Sequence, residues 1–478
     1  MTRVKFPALN GLIWLGGCAA VCLINTGCHK TVRYKRFTPE VARQMRLDWN
    51  VKTLVEAYKT AGRTDPKWDE TAEGALNEWA RTRSRNTDTN EDWRSIISDN
   101  CAGARGAGCT DPMIRYLSLR SAMNQTGTKQ EVAKEYCEVA QDMEGSLYPS
   151  IRKFYAWERA GQQLKFAYGA TSNFPPELQP LNTWGLAESD LLNALSDRTM
   201  PVEEVYDACH ELLEVWMWSN DHYFPLYQNI EGKFTDDWKS DPLFLLLKGE
   251  VYIQLGWQAR GYGYANTITS EGAKLFDKHL ATAEEALTAA WQLNTNEARI
   301  AVKMMSVELG QGKGRDRMEL WFQRAMKADP NDYDACDAKL LYLEPKWYGS
   351  AADMLAFGRE CVQNEQWGGH VPLILIDAHV AIQEQFADDA AKADYWKQPP
   401  VWTDLNSAFE RFFELNPDEI SWYHNYAWYA YQAGQWATFN KLVPKLGPVN
   451  YDYFGGREKF EEMVAQAKKH AGETKAKN

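Results

Sequence analysis

Apolar residues recur at three- and four-residue steps along nearly the whole chain. Leu54, Ala57, Tyr58 and Ala61 form one such stripe, and Ala283, Ala286, Leu287, Ala290 and Trp291 form another. That period puts one apolar face on a helix. Alternating runs bounded by Asn-Gly or Asp-Gly turns, the mark of hairpin strands, are missing from the pattern. Pro falls between the periodic segments, at Asp65-Pro66, Asp111-Pro112, Pro175-Pro176, Asp241-Pro242, Asp329-Pro330 and Asn416-Pro417. Asp or Asn beside Pro suits a helix start, because the side chain caps free N–H groups and Pro fits the first turn. The pattern predicts an all-α chain in which most helices are paired.

Three segments superimpose without gaps: residues 289–300 (AAWQLNTNEARI), 324–335 (RAMKADPNDYDA) and 411–422 (RFFELNPDEISW). In each, a helical pattern ends in an Asx-containing turn and a new one follows at once. A helix pair of this kind has an apolar face it cannot cover alone, and stacking on the next pair buries it.

On these residues the chain resembles tetratricopeptide-repeat proteins. Ala427 stands where that family places its small packing residue, Gly434 at the turn, and Trp436 where an aromatic opens the second helix. Trp321-Phe322-Gln323-Arg324-Ala325 leading to Pro330 matches the second helix. The resemblance covers about residues 280–446 and is weak over 45–170. Met318 departs from the usual Ala, and the turn from Glu308 to Arg317 is longer than the family's. With that turn and Leu343 to Ser350, the chain also resembles a family of exported, repeat-bearing bacterial proteins with no established activity. The resemblance implies an α-solenoid of stacked antiparallel helix pairs with degenerate repeats, and nothing about catalysis.

The N-terminus has a basic start (Arg3, Lys5) and then an apolar stretch to about Ile24, the layout of a secretory signal. Thr26-Gly27-Cys28 resembles a bacterial lipobox, which implies lipidation at Cys28. Asn25 departs from the Leu that pattern prefers; Cys18 is the alternative site and an uncleaved anchor the third reading. The expected organisation is a leader over 1–28, a tether over 29–44, a weakly repeating helical region over 45–235, a repeat region over 236–450, and a C-terminal helix with a polar tail over 451–478. The expected address is the bacterial cell envelope, with membrane attachment through an N-terminal lipid only.

Composition narrows the chemistry. The 478-residue chain carries 53 Lys and Arg against 65 Asp and Glu, a formal charge of −12. An acidic chain repels phosphate backbones, so nucleic acid is excluded as a partner. Of nine cysteines, six lie beyond Cys28. Cys101 and Cys109 bracket Ala-Gly-Ala-Arg-Gly-Ala-Gly, read as a flexible loop able to close as a disulfide after export. Cys137, Cys209, Cys336 and Cys361 fall in helical patterns and read as buried thiols.

No cofactor, metal or catalytic set emerges. Gly310-Gln311-Gly312-Lys313-Gly314 lacks phosphate-loop spacing and reads as an inter-helix turn. His210-Glu211 lacks the second His of a zinc helix, since residue 214 is Glu. Asp377 and His379 are two apart and do not share a helix face, so His379 reads as a core or boundary residue. The aromatic load stands out, with 20 Trp and 23 Tyr. Some of these fill space between helices; the surplus nominates Trp257, Trp347, Tyr348, Trp422 and Trp428 as groove aromatics. The function expected is a non-enzymatic scaffold for another envelope protein or peptide. The alternative is a cell-surface protein that binds or processes a glycan.

Overall fold

The computed structural model describes residues 38–84, 93–122, 127–169, 175, 180–219, 221–261, 263 and 265–477. The stretch read as a leader, with Cys28, lies outside them. Thr38 caps the first helix, accepting from the Val41 amide at 3.4 Å, and Pro39 fits its first turn. This helix, α1 (Pro39–Val51), passes through a π-helical turn (Lys52–Glu56) into α2 (Ala57–Ala61). Helix therefore starts within the stretch expected to be tether.

The N-terminal half continues with α3 (Asp69–Arg83), α4 (Trp93–Gly106), α5 (Pro112–Ser121), α6 (Lys129–Glu144), α7 (Ser150–Tyr168), α8 (Pro180–Ala194) and α9 (Val202–Trp216). Next come α10 (Tyr223–Lys233), α11 (Asp236–Lys239), α12 (Pro242–Arg260), α13 (Ser270–Leu293), α14 (Ala298–Gln311), α15 (Arg315–Ala328) and α16 (Tyr333–Tyr342). The C-terminal part holds α17 (Ala351–Gln363), α18 (Ile374–Gln383), α19 (Asp389–Trp396), α20 (Pro399–Leu415), α21 (Tyr423–Gln432), α22 (Trp436–Leu442) and α23 (Arg457–Lys477). Every regular element among the described residues is helical, and none is long and apolar enough to cross a membrane.

Helices pack chiefly on their sequence neighbours, as antiparallel pairs: α3 with α4, α6 with α7, α12 with α13, α14 with α15, α17 with α18. Consecutive pairs then stack through aromatics. Trp291 of α13 meets Trp321 of α15 edge-on at 5.6 Å, and Phe322 of α15 meets Phe357 of α17 edge-on at 5.5 Å. The repeat-by-repeat burial expected from the sequence is thus realised. Two glycines set how closely paired helices approach. A Cβ on Gly249 of α12 would lie 2.5 Å from Leu287 Cγ of α13, and one on Gly358 of α17 would lie 2.8 Å from Leu375 Cα of α18. Any larger residue would force those helices apart.

The described residues from Thr38 onward pack as one unit, with contacts across residues 235 and 236. Helix α9 packs on α12, and the Arg299 guanidinium of α14 lies 4.8 Å over the Tyr206 ring of α9. The turn read as long is short: α14 reaches Gln311 and α15 starts at Arg315, leaving residues 312–314 between them.

Four of the five Asx-Pro sites divide into two kinds, while Asp65 turns the chain between helices by accepting from the Lys67 amide at 2.9 Å. Asp111 accepts from the Met113 and Ile114 amides at 2.9 and 3.3 Å, and Asp241 accepts from Leu243 at 2.9 Å, each with Pro opening the helix. Asp329 and Asn416 instead follow helix ends, and Asp332 caps α16 through the Ala335 amide. A turn of a few residues lets the capping acid stand beyond the Pro.

Asp241 carries a pH signature. Burial, reinforced by the Glu203 charge and opposed by the Leu243 amide, pushes its carboxyl up to about 7. A folded pKa above the unfolded one means the folded state binds more protons between the two. The stabilisation by this residue therefore falls as pH rises from about 4 to about 7. Asparagine caps equally well and does not titrate. Asp241→Asn is expected to gain stability over the parent chain between pH 5 and pH 8, on the order of 2 kcal/mol. Urea melts of both chains at the two pH values read this directly, and an unchanged difference refutes it.

Candidate functional site

The five nominated aromatics do not share a groove. Trp257 and Trp347 meet edge-to-face at 5.7 Å, with the Arg260 guanidinium 5.5 and 5.9 Å from their rings. Phe276 closes on Trp257 at 5.0 Å. Tyr348 is 44% exposed, but its ring lies against Tyr342 at 4.6 Å and its hydroxyl donates to the Leu309 carbonyl at 3.0 Å. Protein groups therefore occupy the faces a sugar ring would stack on. Trp428 is half-buried and meets Tyr429 edge-on at 5.0 Å. Of the five, Trp422 lines an open groove.

That groove, of about 460 Å³, lies between the start of α21 and the segment from Leu446 to Tyr453. Ile420 (50% exposed) and Tyr453 (40%) present apolar surface, and Asn425 and Asn450 add amides. Trp422 is set from behind by Phe412 at 5.4 Å and His370 at 5.9 Å. His370 in turn pairs with Glu419 at 2.9 Å. Buried His424 holds the two sides together. Its Nε2 accepts from the Asn450 amide at 3.1 Å, so its Nδ1 carries the proton and donates to the Ser421 carbonyl at 3.1 Å. No carboxylate is among the residues lining this groove.

Other candidates settle as structural groups. His379 is buried, its Nδ1 2.7 Å from the Tyr395 hydroxyl and its Nε2 3.1 Å from Asp404, which Arg359 also grips. Asp377 accepts from the Tyr333 hydroxyl at 2.6 Å, on a different side. His210 stacks on Tyr206 and lies 3.8 Å from Glu250. Lys313, in the glycine-rich turn, pairs with Glu284. Cys101 and Cys109 are both buried and unbonded. The loop thought to join them is largely helix, since α4 runs through Gly106 with Cys101 in its body. Burial raises both thiols, Cys101 to about 12.

The least expected feature is an ionic centre among α1, α3, α7 and α9. Glu204 is fully buried, yet it accepts from Arg46 Nε at 2.9 Å, Arg83 Nη2 at 3.1 Å and the Tyr155 hydroxyl at 2.7 Å. Burial alone would raise its pKa; Arg83, Arg46 and Arg152 hold it well below the usual carboxylate range. Arg46 also reaches Asp207 at 2.8 Å. Arg152, 3% exposed, has neutral partners only, donating to Asn50 Oδ1 at 2.7 Å and Thr53 Oγ1 at 2.5 Å. Desolvation pulls its guanidinium down to about 10. The sequence offers little warning of this centre, because its members are scattered from Arg46 to Glu211. A faint signal exists in Arg152 and Glu158, which fall on the apolar positions of α7.

The sequence matches no protein-family model and no curated protein. Among solved structures, a human IFIT1 dimer with m7Gppp-AAAA aligns over 92% of this chain and 97% of that chain, at 10% identity and a TM-score of 0.28. Similarity of that degree carries no argument about what this chain binds.

Proposed function

We propose that the chain is a non-enzymatic interaction scaffold of the bacterial cell envelope, tethered by a lipid on Cys28, that holds a segment of another envelope protein in the groove beside α21. The observation that carries this reading is the groove itself. Ile420, Trp422 and Tyr453 offer apolar anchors, Asn425 and Asn450 can meet a peptide backbone, and no lining residue is a carboxylate. Apolar anchors beside a few placed polar groups are what a peptide site requires. Paired helices stacked on their neighbours also leave surface free for such binding. The glycan alternative has less support. A sugar needs an open aromatic face, which Trp257 and Trp347 deny, and a hydrolase needs two carboxylates.

A photo-crosslinking residue at position 453 in the intact envelope tests the reading. One defined protein is expected to couple there and not at position 147, an exposed leucine elsewhere on the surface. Ile420→Asp, at a half-exposed position, is expected to cut the coupling by roughly tenfold while leaving the helical circular dichroism unchanged. Coupling to no protein, or a saccharide hit that Ile420→Asp abolishes, overturns the proposal.

A further inference from the structure

Beside Glu204 is a cavity of about 40 Å³ whose wall includes Arg83 of α3, Arg120 of α5, Arg152 and Arg159 of α7, and the carboxyls of Glu158 and Glu211. The Nε of each of these four arginines is buried and has no hydrogen-bond partner. Among the described residues Arg120 and Arg159 make no ion pair or hydrogen bond; Arg120 rests on the Trp79 ring at 5.7 Å. Arg83 divides one nitrogen between Tyr155 and Glu204 and comes only within 3.9 Å of Glu211. Arginine stays protonated at any pH a protein meets. Around this cavity, then, fixed cations outnumber carboxylates, inside a chain whose formal charge is −12. Buried donors without acceptors, on arginines from three helices that line one cavity, point to a ligand that supplies acceptors.

We propose that this cavity binds one small tetrahedral oxyanion of the phosphate or sulfate class, held by the Nε groups of Arg83, Arg120, Arg152 and Arg159. The size agrees, since a water needs roughly 10–15 Å³ of such space and the cavity takes about three groups of that size. A lipid-borne or peptide-borne phosphate brings a substituent for which there is no room. Arg83 and Glu211 keep partial solvent contact, with side chains 20% and 34% exposed, and give the ion a way in. This site is separate from the groove beside α21 and does not depend on the scaffold reading.

Glu158 makes the binding pH-dependent. It is buried, it accepts from Gln162 of its own helix, and Glu211 of α9, Arg159 of α7, Arg120 of α5 and Arg83 of α3 face it. Burial and the Glu211 charge push its carboxyl up to about 7, against the three arginines. An incoming anion raises it further, so the acid gains a proton and can donate to an anion oxygen. Affinity therefore rises as pH falls through about 7.

Calorimetric titration of the full chain with sodium sulfate, at ionic strength held constant with chloride, tests the site; sulfate does not itself titrate near neutral pH. One saturable site is expected, with inorganic phosphate within about tenfold of sulfate. Arg120→Met and Arg159→Met are each expected to weaken it by roughly tenfold or more. Glu158→Gln is expected to remove most of the pH dependence while keeping the site. Heats that never saturate overturn the proposal, and so does a wild-type isotherm that both arginine variants reproduce. If those variants fail to fold, the wild-type titration decides alone. Binding to phosphatidic acid vesicles without binding of free sulfate or phosphate also overturns it.

Discussion

Glu204→Ala is expected to cost about 3–5 kcal/mol and to loosen the N-terminal helices together. Three arginines depend on this one carboxylate. Arg46 and Arg83 touch it and Arg152 feels its charge, all in surroundings that admit little water. Without it Arg46 keeps Asp207, but Arg83 is left with the neutral Tyr155 hydroxyl and a 3.9 Å approach to Glu211, and that hydroxyl loses its acceptor. Glu204→Gln keeps the shape but supplies one oxygen where two work, and an amide repels the arginine donors; its loss is expected to be of similar size. Because the folded pKa of Glu204 lies below its unfolded value, its contribution is present in full above about pH 4.5. It is lost as the pH falls below that value. Urea unfolding followed by circular dichroism measures the cost, and hydrogen exchange locates it in α1, α3, α7 and α9. A loss under about 1 kcal/mol would mean that the arginines are held by something other than Glu204.

Phe409→Ala is expected to cost about 3–5 kcal/mol at the other end of the chain. Phe409 of α20 is fully buried, stacked on Tyr426 of α21 at 4.6 Å and 18°, with Tyr429 at 6.1 Å. The hydroxyl of Tyr426 donates back to α20, reaching Asn406 at 2.7 Å and Glu410 at 2.9 Å, so the cavity left by the ring cannot close by a shift of Tyr426 without breaking those bonds. In an array where each pair leans on the next, the damage stays local. Accelerated hydrogen exchange is expected in α20 to α23 and not in α1 to α9, and the double variant with Glu204→Ala is expected to lose the sum of the two costs. Uniform exchange across the chain would show one cooperative globule instead.

Helix period and pairing were legible in the sequence because both depend on local pattern. The stripe at Ala283, Ala286, Leu287 and Ala290 is buried as its spacing requires, and the glycine-rich stretch at 310–314 supplies the turn at residues 312–314, its first two residues ending α14. Legibility failed where glycine content stood in for conformation. Gly103 and Gly106 sit inside α4, because the apolar face carried by Ile97, Cys101 and Ala104 outweighs their weak helix propensity. The aromatics failed differently. Counting Trp and Tyr gives no direction, and Trp257 and Trp347, ninety residues apart, turned their rings on each other. Trp422 was found, while its groove partners Ile420, Asn450 and Tyr453 were not, since a bend in the chain brings them together. The ionic centre was the hardest to foresee, because its charges pair between helices and, Arg152 and Glu158 apart, each alone reads as an ordinary surface residue.

The glycines at 249 and 358 bear on how such a chain can change over time. Each fits one bulky leucine on one facing helix, at a height along the axis peculiar to that pair. Modules that look alike in outline are therefore not interchangeable. Transplanting α12 onto α18 would set a notch against the wrong tooth, and lengthening the array by duplication would first require a new matched seam. Divergence among the repeats is then what remains when every joint has been cut to its own key.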